Sequence, residues 1–134
     1  MITVIRSRRD VESSEGGATF TGTVWKDPIL PRTGDGIGMA NIHFAPCGRT
    51  HWHTHEGGQI LIAVAGEGLV GDADGTVRLS VGDIAWTPGG VRHWHGATAE
   101  RYFVHTAISL AGVEWDDAVT DGEYLASIRQ VADS

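Results

Sequence analysis

The chain has one cysteine, Cys47, in 134 residues, so it can form no internal disulfide, and a structural zinc site closed by several thiolates is excluded as well. Positive charge is also scarce. Ten lysines and arginines against 17 aspartates and glutamates leave a formal net charge of −7. Such a surface is unsuited to neutralising phosphates, so nucleic acid is not an expected partner; the small basic cluster Arg6, Arg8 and Arg9 reads as a solvated face. No apolar run is long enough to span a bilayer, and the N-terminal MITVIRSRRD lacks the apolar stretch of a secretory signal. The expectation is a cytoplasmic protein with no membrane partner.

Prolines are few as well, four against 19 glycines, which suits many short strands joined by turns. The length suffices for a single core, so residues 1–134 are read as one domain. Strand patterns are expected at residues 2–5, 19–27, 37–45, 60–66, 68–72, 77–79, 83–87, 91–95 and 101–110, with a loop at 13–17 and a hairpin turn at Asp74-Gly75. About ten short strands predict an all-β barrel or jelly roll. Only the tail reads as helical. Thr120 and Glu123 have the spacing of a capping box, and Tyr124, Leu125, Ile128 and Val131 then form one apolar stripe, predicting a helix over about 120–131 docked outside the barrel.

Histidine is the residue the chain concentrates. His51, His53 and His55 fall within five positions, and spacing by two puts them on one face only if the segment is a strand. Gly57 and Gly58 permit a tight turn that folds Gln59 back toward the imidazoles. In a second cluster, His93 and His95 follow a Pro-Gly-Gly turn at residues 88–90 and again share a face. Neutral imidazoles gathered in this way suit a divalent first-row metal, since each offers one lone pair while its second nitrogen can be fixed by a hydrogen bond. His43 reads as structural or surface, Cys47 as a small buried hydrophobe, and Trp52, Trp86 and Trp94 as walls or caps of the barrel.

Gly48, His53, His55, Gln59 and Gly66, followed by Gly82, Pro88, Gly90 and His93, resemble the two motifs of the cupin family over about residues 37–110. Two positions depart from the pattern: Gly48 lies one residue nearer the His-x-His than is usual, and Gln59 stands where the family usually has glutamate. Ala97 also occupies the place of the second motif's asparagine. Closer still is a resemblance to the small bacterial manganese cupins that act as hydroxynitrile lyases, and to cupins associated with carboxymuconolactone decarboxylases. Those proteins share the His-x-His followed by Gln, the HWHGA segment at residues 93–97, a later histidine matching His105, and a tail like EWDDAVTDGEY at residues 114–124.

The resemblance implies a double-stranded β-helix with a short C-terminal helix, and a homodimer or larger assembly. It implies metal ligation by His53, His55, Gln59 and His93, a substrate pocket including Ala40, Ile42 and Thr50, and a catalytic base at His105 with His95 beside it. Three imidazoles and one amide leave an octahedral cation with positions open for a small-molecule substrate. Manganese(II) is the first expectation and iron(II) the second; nickel, cobalt and zinc are substitutes that recombinant expression can introduce. A neutral amide in place of a carboxylate leaves the cation more Lewis acidic. The expected activity is cleavage or formation of cyanohydrins. The alternatives are a metal-dependent dioxygenase acting on a small chelating substrate and a non-catalytic cupin that binds a small ligand.

Overall fold

The computed structural model describes residues 1–6 and 11–132. Among these, twelve strands precede one helix: β1 (Ser14–Glu15), β2 (Phe20–Thr21), β3 (Val24–Leu30), β4 (Ile37–Phe44), β5 (Arg49–Thr50), β6 (His53–His55), β7 (Gln59–Asp72), β8 (Gly75–Ser80), β9 (Ile84–Thr87), β10 (Trp94–Ala97), β11 (Phe103–Leu110), β12 (Val113–Trp115) and α1 (Asp121–Ala132). The expected jelly-roll barrel with a C-terminal helix is the fold observed. Ten strands form one curled array in the order β1-β3-β4-β11-β7-β10-β5-β2, with β8 and β9 also paired to β7, while β12 pairs separately with β6.

The curl is made at β7. Its first half pairs with β11 and β9, and its second half with β10 and β8, so one strand belongs to both faces of the barrel. The corner is Gly66, whose φ is +75° and where a Cβ would lie 1.9 Å from the Tyr102 carbonyl oxygen. A side chain there would be strained by its backbone and blocked by its neighbour. The sequence suggested separate strands at 60–66 and 68–72, but the corner bends the strand without ending its ladder.

Side chains at alternate positions fill the interior. Val24, Ile42, Phe44, Ala63, Leu79, Ala97 and Phe103 form one buried cluster. A second, built from Trp52, Leu69, Trp94, Val119, Tyr124 and Val131, receives the helix. The capping box forms, with the Glu123 amide donating to Thr120 Oγ1 and the Thr120 amide to Glu123 Oε1. Tyr124 then donates its hydroxyl to the Ala97 carbonyl at 2.7 Å. Arg49, buried beneath the helix start, donates to the Val119 carbonyl and to Asp121, and lies 4.5 Å from the Tyr124 ring centroid.

Several local expectations are corrected. Residues 2–5 form no strand and lie exposed, because β propensity is realised only where a neighbouring strand pairs with it. The 13–17 loop contains β1 and the start of a 3₁₀ turn. Leu125 is exposed and does not join the packed stripe, while Trp86, also exposed, walls the barrel where its ring covers Gly58. Cys47 is exposed in a turn at φ +69° rather than buried. Of the basic cluster, Arg6 is exposed, and Arg8 and Arg9 lie outside the described residues.

Candidate metal centre

Two backbone pairings bring the histidines together. His53 and His93 exchange amide-to-carbonyl hydrogen bonds, each 2.9 Å long, which sets the two clusters side by side. The turn through Gly58, at φ +94° and closely covered by Trp86 and the Thr87 carbonyl, then starts β7 with Gln59 facing the same space. One nitrogen from each of His53, His55 and His93 lies within 4.8 Å of the others. Nitrogens bound to one cation at ~2.1 Å lie no more than about 4 Å apart, so slight contraction of the cluster accommodates an ion.

The surroundings prepare these rings as ligands. Burial first, and then His93, hold the His53 imidazolium pKa down at about 3, and the same leading causes, with Arg32 after them, hold His55 at about 4. Burial also lowers His93. All three rings are therefore neutral at neutral pH. His53 Nδ1 donates to the His51 carbonyl at 2.8 Å and His93 Nδ1 to the Val91 carbonyl at 3.0 Å. A carbonyl can only accept, so each ring keeps its proton on Nδ1 and its lone pair on Nε2.

Gln59 completes the set. Its amide nitrogen donates to Ser109 Oγ at 3.0 Å, which turns Oε1 toward His93 Nε2, also 3.0 Å away. With the tautomers above, two lone pairs face each other across that gap, an arrangement that a shared cation turns into ligation. Both nitrogens of buried His55 lack a hydrogen-bond partner, a costly state in a protein interior unless something binds them. The expected ligand residues thus fit a divalent metal.

Beside the cluster lies a cavity of about 400 Å³, lined in part by Ala40, Ile42, Thr50, His95 and Ala107. The three expected pocket residues are all on its wall. His105 is not. It is fully buried behind His95, with its Nε2 2.8 Å from His95 Nδ1, and it sits against the Phe44 and Phe103 rings. Burial drives both pKa values down, His105 to about 3 and His95 well below its ordinary value. His95 Nε2 has no protein partner.

The other histidines lie apart. His51 falls in the break between β5 and β6, and it serves the site through its carbonyl, not its ring. His43 pairs with Asp27 at 2.9 Å on the outside of the barrel. Trp52 and Trp94 are buried under the helix. Sequence reasoning missed Trp115, which covers His53 at 4.6 Å between ring centroids, and Ser109, which orients Gln59. Trp115 arrives through the pairing of β12 with β6, which no local spacing reveals. Ser109 lay two inward positions beyond His105 on β11, so alternation along that strand was the available signal.

Comparison with known proteins agrees with this geometry. Residues 40–108 match the cupin domain model. The chain is 40% identical over 111 residues to an (R)-mandelonitrile lyase from Granulicella tundricola, covering 78% of this chain and 85% of the relative. Among solved structures, a cupin-like protein from Thermotoga maritima is 34% identical with a TM-score of 0.82, covering 90% of this chain and 97% of that one. A polyketide cyclase from Streptomyces resistomycificus shares the fold at 16% identity, with a TM-score of 0.70 and 92% and 91% of the two chains covered.

Proposed function

The chain belongs to the cupin family, and from that premise we propose that it is a metal-dependent lyase that cleaves and forms cyanohydrins, with His53, His55, Gln59 and His93 holding the metal. The observation that carries this reading is the pairing of a wholly neutral ligand set with a separate, buried, neutral histidine pair beside one cavity. The similarity to a mandelonitrile lyase supplies the substrate class. Manganese(II) is the first choice of metal and iron(II) the second. A divalent cation in this site supplies Lewis acidity to a hydroxyl oxygen, making its proton easier to remove.

The protein's own groups handle the proton. His95 lines the cavity and His105 stands behind it, so the expected roles are exchanged: His95 Nε2 is the base and His105 the positioning residue. For Nε2 to accept, His95 must carry its proton on Nδ1 and donate it to His105 Nε2 across the 2.8 Å contact. Burial keeps both rings neutral and therefore able to accept. As His95 takes the hydroxyl proton, the oxygen's electron pair forms the aldehyde carbonyl and the carbon–cyanide bond breaks. Cyanide leaves with that bond's electron pair and then takes the proton from His95. Ile42, Ala40 and Ala107 keep this part of the cavity apolar, which favours neutral products over trapped ions.

The test is mandelonitrile turnover by manganese-loaded and metal-free protein under argon. Turnover that requires metal and is unchanged by oxygen is expected. Stoichiometric oxygen consumption would support a dioxygenase, and tight binding without turnover a ligand-binding cupin. His95→Ala and His105→Ala should each lower turnover about 10²-fold, the scale of general-base catalysis. Only the His105 variant should regain part of its loss when glutamine supplies another acceptor for His95 Nδ1. Parental turnover in His95→Ala, with full metal content, would remove it as the base.

A further inference from the structure

The cavity carries two cations and no carboxylate. Lys26, half-buried on the inward face of β3, and Arg32, exposed just after that strand, both line it, and its other polar side chains are imidazoles, hydroxyls, the Gln59 amide and the Trp115 indole. This is unexpected in a chain with 17 acidic and 10 basic residues. Elsewhere four arginines meet carboxylates: Arg49 pairs with Asp121, Arg92 with Asp116, and Arg78 and Arg101 with Glu67. Among the described residues, Lys26 and Arg32 form no ion pair. Lys26 Nζ lies 5.5 Å from the Phe20 ring centroid, a contact that holds the stem without neutralising the charge. Arg32 shares this cavity wall with His55 and Gln59.

Lys26 is half-buried on this wall, and no carboxylate of the cavity faces it. The metal ligands do not provide one, because Gln59 is neutral where a carboxylate is usual. We propose that this cavity takes a small organic anion, a carboxylate whose hydroxyl or keto oxygen reaches the histidine cluster while its carboxylate is received by Lys26 and Arg32. Phe20, Pro28 and Ile42 supply apolar contacts for the hydrocarbon between these ends. A guanidinium suits a carboxylate geometrically, and an ammonium beside it adds an adjustable second donor. Positive charge within low-dielectric walls also draws anions toward the opening.

The proposal rests on the histidine cluster as the reactive end of the cavity but not on cyanohydrin chemistry. It is tested by calorimetric binding of mandelate and of mandelamide, its uncharged counterpart, to manganese-loaded protein. Mandelate should bind at least about tenfold more tightly, the scale of one charge-assisted hydrogen bond. The Lys26→Met/Arg32→Gln double variant should lose that preference while binding mandelamide as before. Equal binding of the two ligands, binding of neither, or a preference that survives in the double variant overturns the proposal; in the last case the carboxylate is recognised by the metal alone. Mandelonitrile turnover on the same preparations separates the two readings. No turnover with the mandelate preference intact sinks the lyase, whereas turnover without the preference sinks only the anion site.

Discussion

The two ends of the barrel are built from the same strands but filled differently. Across β4, β11 and β7, Phe44, Phe103 and Gly66 stand level, followed by Ile42, His105 and Ala63, then Ala40, Ala107 and Leu61, and finally Gly38, Ser109 and Gln59. The first level is closed by aromatic rings, with Phe44 and Phe103 stacked at 6.2 Å. The last levels carry small and polar groups that leave room for the cavity. Stability and chemistry are therefore divided along each strand. Five buried histidines are tolerated, His105 among them against the closing rings, because the closed end and the helix-covered cluster supply the apolar burial that holds the barrel.

The division makes opposite predictions for substitutions at the two ends. Phe103→Ala removes a fully buried ring from the closed end and should cost about 3–5 kcal/mol of stability, read as a lower urea midpoint, while bound metal per folded chain stays at parental level. His53→Ala should do the reverse. Metal affinity should fall by more than about 10², beyond the range for outer-shell changes, in a chain that still unfolds cooperatively. Loss of the fold in that variant would make the site structural.

Acid should find the histidine end first. Burial makes His53, His55 and His105 bind protons less readily in the folded chain, with pKa values of about 3, 4 and 3, than at the ordinary imidazole value of 6.5. Between pH 6.5 and about 4, the unfolded chain therefore takes up protons that the folded chain refuses. This contribution to stability is fully present above 6.5 and falls as the pH drops through that window. The metal-free protein should show a clearly lower urea midpoint at about pH 5 than at about pH 7.5. A midpoint unchanged between the two would mean that these rings are not buried neutral.

The smallest effect is expected at Gln59, a neutral amide and the weakest donor of the four. Gln59→Ala should weaken metal retention by about tenfold, less than any histidine change, measured by competition with a chelator. Parental retention would take Gln59 out of the ligand set.

Much of the reactive end was legible from spacing alone. His53, His55 and His93 follow strand alternation around two turns, and the structure brings one nitrogen of each within 4.8 Å of the others. His51 obeys the same alternation, yet it lies between β5 and β6 where the strand is interrupted, and spacing carries no mark of that interruption. Trp115 and Lys26 reach the site through pairings of β12 with β6 and β3 with β4, which depend on tertiary register. The order of His95 and His105 was hidden for a related reason: His95 lies nearer the cavity only because β10 and β11 approach across the barrel. Residues 2–5 show the converse, a strand-like pattern with no neighbour to pair with.

The division between the ends is tested most directly by urea denaturation of the metal-free protein beside the manganese-loaded one. The account predicts a cooperative transition without metal and a similar dependence on urea in both, with manganese raising the midpoint only as far as its binding to the folded state requires. A metal-free chain that is already unfolded, or that lacks a cooperative transition, would contradict it.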